Sequence, residues 1–233
     1  LRIVVAFSTG TAADIVARQV ALKMTDDFGK QVVVENRDGA AGTIGAGLAA
    51  RATPDGHTML IASTSIIVSP LLIKNLPYDP EKDFVTLGYV STYPFVLLAR
   101  PDLPGNSFAE WVAYAKDRPG KLTYGSGGIG TLQYTWGTIL VGSLGLDMLH
   151  IPYKAATAAL TDLMGGGIQL LMMNTPVVGP QAQAGRVRAL GISSQQKSAT
   201  YPDVATIAET VSGFEVVAWG GLIAPAGLPK EIV

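Results

Sequence analysis

The 233-residue chain contains no cysteine. A disulfide framework, a thiolate metal site and a cysteine nucleophile are thereby excluded. It has only two histidines, His57 and His150. Neither has a second histidine or a paired carboxylate at ligand spacing, so no metal is expected. Charged residues make up only 15% of the chain, against the usual quarter. The 17 Lys and Arg nearly cancel the 18 Asp and Glu. With no basic run, nucleic acid and anionic membrane surfaces are not expected partners. No apolar run reaches the length of a membrane span; the longest, Ile168 to Met173, is broken by Asn174 and Pro176. The chain opens on Leu1 rather than methionine and reads as a trimmed or mature start.

What is present is apolar and glycine-rich: 48% hydrophobic residues and 27 glycines. That is ample for a core, and disorder is not expected. Five times an apolar strand runs through a short Ser/Thr/Gly/Ala loop into a helix, with almost no charge in the loop. The junctions are Phe7-Ser8-Thr9-Gly10-Thr11-Ala12-Ala13, Ser63-Thr64-Ser65, Gly125 to Thr131, Tyr153-Lys154-Ala155-Ala156-Thr157 and Asn174-Thr175-Pro176. A helix start carries orphan N–H groups and a partial positive charge. Small residues let a ligand approach that backbone closely, so these loops read as a small-anion site.

The strands alternate with helical segments, which predicts an α/β fold with mostly parallel sheets. Strands are expected at Arg2 to Phe7, Gln31 to Glu35, Thr58 to Ala62, Phe95 to Ala99, Leu122 to Gly125, Leu149 to Tyr153, Ile168 to Met173, Arg188 to Ser193 and Val216 to Ala224. The first helix carries Val16, Val20, Met24 and Phe28 as an apolar stripe and ends at Gly29. Later helices are expected from Thr131, Thr157 and Pro176, and around Val204 to Val211. The segment Arg100 to Gly105 reads as a linker. The two halves repeat an architecture without repeating a sequence, so two lobes are expected, residues 1–100 with 219–233 and residues 101–218, with a crevice between them.

Several motifs have competing readings. Gly125-Ser-Gly127-Gly-Ile-Gly130 follows a strand and opens a helix, as a dinucleotide site requires, and makes an NAD-dependent enzyme the alternative function. Its ribose-binding acid would be Asp147, slightly early and in a turn. Gly39 to Gly47 lacks the Lys-[Ser/Thr] of a nucleotide-phosphate loop and reads as close helix–sheet packing. Ser126 is not in a Gly-x-Ser-x-Gly setting, since Tyr124 takes the first glycine position. Thr11-Ala-Ala-Asp14 has the form of a helix-capping box. Asp14 and Asp162 are placed in first helical turns and read as caps, with ligand contact as the alternative. Phe7 and Trp219 read as core residues or as walls against an apolar ligand body. His150 reads as a satisfied strand residue.

Longer blocks carry a resemblance. They are Val5-Ala-Phe7-Ser-Thr-Gly10 with Asp14 and Arg18 on the helix that follows, Val33-Val-Glu35-Asn36-Arg37 with Gly39, Gly42 and Gly45, and Pro54-Asp55-Gly56. They continue with Leu76-Pro77-Tyr78-Asp79-Pro80, His150-Ile-Pro152-Tyr153-Lys154, Arg186-Val-Arg-Ala189-Leu and Ala224-Pro225-Ala-Gly227 with Pro229 to Val233. Together they resemble the Bug-type solute receptors of tripartite tricarboxylate transporters, from the first residue to the last. The resemblance implies a two-lobed periplasmic binding protein of the type II, Venus-flytrap kind, with no catalytic residues and no cofactor. It implies ligands such as di- and tricarboxylates, acidic amino acids or aromatic acids. Its partners would be the membrane subunits of such a transporter, with a sensor kinase as a further one. The family continues past Val233 with helices of the first lobe, so that lobe reads as incomplete.

Carried onto these loops, the ligand contacts are Phe7, Ser8, Thr9, Gly10, Thr11, Ala12, Ser63, Thr64 and Ser65 on the first lobe. On the second they are Ser126, Gly127, Gly128, Thr131, Ala155, Ala156, Thr157, Asn174 and Thr175. The chain departs from the family pattern at Ser8, Thr9 and Thr11 on the first lobe, and at Ile129, Tyr134, Ala155 and Met172-Met173 on the second, whose wall is therefore more apolar. If Asp14 and Asp162 are caps, no carboxylate remains to pair an ammonium. A carboxylic acid without an α-amino group is therefore expected, and a wall of Met172, Met173 and Trp219 favours an aromatic or long-chain one.

Overall fold

The computed structural model describes residues 1–232. They form a mixed α/β fold in two compact units, residues 1–92 with the segment from Trp219 onward, and Tyr93–Ala218. The first boundary falls after Thr92 rather than at 100, because one long strand belongs to both units.

In the first unit, β1 (Arg2–Val5) lies between parallel β2 (Val33–Asn36) and β3 (Thr58–Ser63). Successive side chains of β1 enter opposite faces, and both faces are covered. Ile3 and Val5 pack with α1 (Ala12–Phe28) through Ala13, Ala17 and Ala21. Val4 and Ala6 pack with α2 (Thr43–Ala50) through Ala46 and Ala49. The face of α1 therefore differs from the predicted stripe: alanines form its centre, Val20 and Met24 flank it, and Phe28 is 57% exposed. Small residues on both helices bring them close to the sheet. A Cβ on Gly45 would stand 2.7 Å from Ala6 Cα and from the Arg37 carbonyl oxygen. Beyond β3 comes α3 (Ser65–Leu72).

β4 (Phe84–Ala99) is three times the predicted length, and its C-terminal part lies in the second unit. There α4 (Phe108–Lys116) follows the linker. Then come β5 (Leu122–Ser126), α5 (Leu132–Ser143), β6 (Met148–Pro152), α6 (Ala156–Gly165), β7 (Leu170–Asn174), α7 (Thr175–Gln183) and β8 (Arg188–Ile192). β5 pairs in parallel with β6 and β7, whereas β4 is antiparallel to β7 and β8. β9 (Val217–Pro225) returns to the first unit antiparallel to β3. The sheets are thus mixed. The expected helix at 204–211 is only a 3-10 turn, Ile207–Glu209, closed by a Thr206–Glu209 capping box. The core of the second unit joins Val96, Leu98, Leu163, Ile168, Leu171, Met173 and Ile192. Met172 and Met173 are 3% and 1% exposed. They cannot form a ligand wall, because β7 is covered on both faces.

Candidate functional site

Parallel pairing sets where the loops emerge. In the first unit β1 and β3 run side by side, so 6–11 and Thr64 leave the sheet at the same end. In the second unit β7, β5 and β6 are neighbours, and 127–131, 153–155 and the start of α7 leave together at their carboxyl ends. The structure therefore assembles two loop clusters from the five junctions, one per unit.

The first cluster is held from behind. Asp14 is 2% exposed, and its Oδ2 accepts from the Gly10 amide (2.9 Å) and from Arg18 Nε (3.1 Å). Asn36 Nδ2 donates to Asp14 Oδ1 and to the Phe7 carbonyl, both at 3.0 Å. Burial alone would push the Asp14 carboxyl up. The Arg18 guanidinium, with the Gly10 and Asn36 donors, outweighs it and holds the carboxyl below its usual range. The capping box is not made: Thr11 sits at the N-cap without a side-chain cap, and its hydroxyl donates to the Ser8 carbonyl (2.8 Å). Asn36 was missed as a site residue; its signal was its place at the end of β2, in the Val-Glu-Asn-Arg block. Phe7 is half-buried between the two cores of its unit. With Gly42, Ser63, Ser65 and Tyr78 it lines a small recess beneath the loops. Thr64 Oγ1 accepts from the Trp219 amide at 3.3 Å.

In the second cluster Thr131 caps α5, accepting from the Tyr134 amide (3.3 Å) and donating to the Gly128 carbonyl (2.6 Å). Ser126 is fully buried. Its Oγ lies 2.7 Å from His150 Nε2 and accepts from the Gly128 amide at 3.0 Å. Thr175 is buried and donates to the Pro94 carbonyl (3.2 Å). Asp162 is not in a first turn: α6 starts at Ala156, with no acid in its first turn. Its carboxylate accepts from the Tyr153 hydroxyl instead. Burial and that neighbouring carboxylate push the phenol up to about 12, so it stays a donor.

The predicted contacts thus fall into two groups. The hydroxyls of Thr11, Thr64, Ser126, Thr131 and Thr175 bond within the protein and hold the loops. Among the described residues, those of Ser8, Thr9, Ser63, Ser65 and Thr157 have no protein partner. The same holds for the amides of Ser8 and Thr9, while those of Ala156 and Thr157 lie in the first turn of α6, where no helical acceptor reaches them. Gly10, Ala12, Gly127, Gly128, Ala155, Ala156 and Asn174 lie in the same loops or first turns. Ile129, at the tip of its loop, is 56% exposed.

The dinucleotide reading fails on placement. Asp147 precedes β6, beside the start of β5, where the Gly120 amide donates to its carbonyl (2.9 Å). The glycine loop is at the other end of β5, so this acid cannot meet a ribose bound there. Among the described residues no cluster of three metal-ligating side chains exists.

Residues 16–233 match the family described as the tripartite tricarboxylate transporter family receptor. The chain belongs to that family. This receptor is 37% identical over 232 residues to a UPF0065 protein of Pseudomonas sp. strain P51, encoded in the tcbD-tcbE intergenic region; the match covers 99% of this chain and 69% of the relative. Its fold superposes on the periplasmic binding protein BugD with a TM-score of 0.94 at 38% identity, covering 100% of this chain and 78% of that one. On Rpa4515 of R. palustris, solved with adipate, the TM-score is 0.96 at 31% identity, with the same coverage. The receptor is accordingly a solute-binding protein and not an enzyme.

Proposed function

We propose that the receptor captures a dicarboxylate or an aromatic carboxylate in the periplasm and delivers it to the membrane subunits of a tripartite tricarboxylate transporter. Each unit's loop cluster, 8–11 with 63–65 in the first and 127–131 with 155–157 and 174–175 in the second, offers hydroxyls and amides to a carboxylate group. The observation that carries this reading is the division of labour in the loops: uncommitted hydroxyls and amides face no internal acceptor, while the nearby acids Asp14 and Asp162 are already paired. Adipate bound by the similar Rpa4515 supports the same ligand class. Charge-assisted hydrogen bonds contribute about 1.5–3 kcal/mol each. Four to six of them, less the ordering cost, give about −8 to −11 kcal/mol, or micromolar to nanomolar binding. Among the described residues, the loops themselves carry no acid to pair an ammonium, so plain acids are preferred over amino acids. In the second cluster Ile129, rather than the buried methionines, supplies apolar surface for a long or aromatic body.

A thermal-shift screen with C4–C6 dicarboxylates, citrate, aromatic acids, glutamate, aspartate and NAD(H) tests this. A rise confined to plain carboxylates is expected. Tighter binding of glutamate or aspartate than of every plain dicarboxylate would overturn the preference, and a rise with NAD(H) alone would overturn the receptor reading of the loops.

A further inference from the structure

We propose that His150, which lies in none of the ligand loops, is the positioning residue for the 126–131 loop, and that its protonation loosens that loop and lowers carboxylate affinity at acid pH. This rests on the ligand reading above.

The argument begins at Ser126. Its hydroxyl is fully buried and has two neighbours, the Gly128 amide at 3.0 Å and His150 Nε2 at 2.7 Å. The amide can only donate, so it occupies an oxygen lone pair. The hydroxyl hydrogen then needs an acceptor, and Nε2 is the one in reach. All three groups are satisfied only when the imidazole is neutral with its proton on Nδ1. Protonation turns Nε2 into a donor. Two N–H groups would then face Ser126 Oγ, and its own hydrogen would be buried without an acceptor, which is costly. The cheapest release is rotation of the Ser126 side chain away from the Gly128 amide.

That amide is the first of a chain of loop contacts. The Gly128 carbonyl accepts from the Thr131 hydroxyl and amide at 2.6 and 3.2 Å, and Thr131 caps α5 through the Tyr134 amide. The Ser126 carbonyl accepts from the Tyr153 amide at 2.9 Å, tying in the neighbouring loop. The imidazole is clamped by two rings, Tyr124 on β5 with its centroid at 5.0 Å and Tyr134 on α5 at 4.9 Å. These phenols are the titratable groups packed against it. No carboxylate or cation pairs with it among the described residues. Burial lowers its affinity for a proton below the usual value of 6.5. The neutral form thus prevails near neutrality, and the change falls on the acid side.

The test compares the native chain with His150→Gln, whose side-chain oxygen can still accept from Ser126 but does not titrate. Without ligand, nitrogen-15 NMR is expected to show an unprotonated Nε2 near pH 7.5. The exchange protection of the Gly128 amide should fall about tenfold towards pH 5 in the native chain but not in the variant. With adipate as the probe, the Kd should rise about tenfold more over the same interval in the native chain than in the variant. The ligand's own carboxyls titrate equally against both proteins. An Nε2–H tautomer, or the same pH profile in native chain and variant, would overturn the proposal. If adipate does not bind at all, the ligand assignment fails, while the ligand-free exchange still decides the role of His150.

Discussion

Several single residues of these loops bond within the protein and hold the loops. Asp14 shows it best: four donors from three residues converge on one buried carboxylate. Asp14→Asn keeps the size but replaces an acceptor by a donor facing Gly10, Arg18 and Asn36. It should cost about 1–3 kcal/mol in urea unfolding and weaken carboxylate binding by unpinning residues 7–10. The sign of the pH dependence follows from the lowered carboxyl. The stabilisation is complete above the unfolded value of 3.8 and is lost as pH falls below it. Unfolding curves at successive pH values should therefore show the native chain losing its advantage over Asp14→Asn in strong acid. Tyr153→Phe removes the donor to Asp162. A loss of about 1–2 kcal/mol in the same assay is expected, and an unchanged midpoint would deny the bond any role.

At the scale of elements, the close seating of helices on sheets governs where the loops start. Gly45 of α2 faces backbone atoms of Ala6 and of Arg37, not a side chain that could move. Gly45→Ala must lift α2 away from β1, and overpacking of this kind costs about 1–3 kcal/mol. The thermal midpoint should drop, and binding with it, because residue 6 leads into the first loop. The sequence pattern located the starts of α1, α3, α5, α6 and α7 well, since each begins at one of the five strand–loop–helix junctions. It misjudged the face of α1, because a stripe of large residues at i+4 spacing attracts the eye while the residues seated on the sheet are alanines. It missed most of β4, whose first half is only partly buried and lacks a continuous apolar run.

At the scale of the whole molecule, each unit has its own core. Every residue of the described cluster that runs from Val96 to Tyr201 lies between Tyr93 and Ala218. Residues 93–218 expressed alone should therefore keep native-like far-UV circular dichroism and melt cooperatively; a broad, non-cooperative melt would contradict this. For the intact receptor, adipate at about 100 times its Kd should stabilise by about 2.7 kcal/mol, or about 5–10 °C in the melting midpoint for a chain of this size.

Local chemistry in the sequence was enough to determine the α/β alternation, the five loop junctions and the absence of thiol chemistry. These depend on residue type and short spacing: apolar runs, glycine at turns, hydroxyls before helices. The family blocks carried the receptor assignment for the same reason. Tertiary structure alone decided which hydroxyls are spent and which are free, because Ser126 meets His150 and Thr175 meets Pro94 only once separate strands lie side by side. It also decided that Asp162 serves Tyr153, that the methionines of β7 are core, and that Asp147 stands at the wrong end of its strand for a nucleotide. Partnership between residues far apart in the chain is a property of strand order and register, and neither is written in any local pattern.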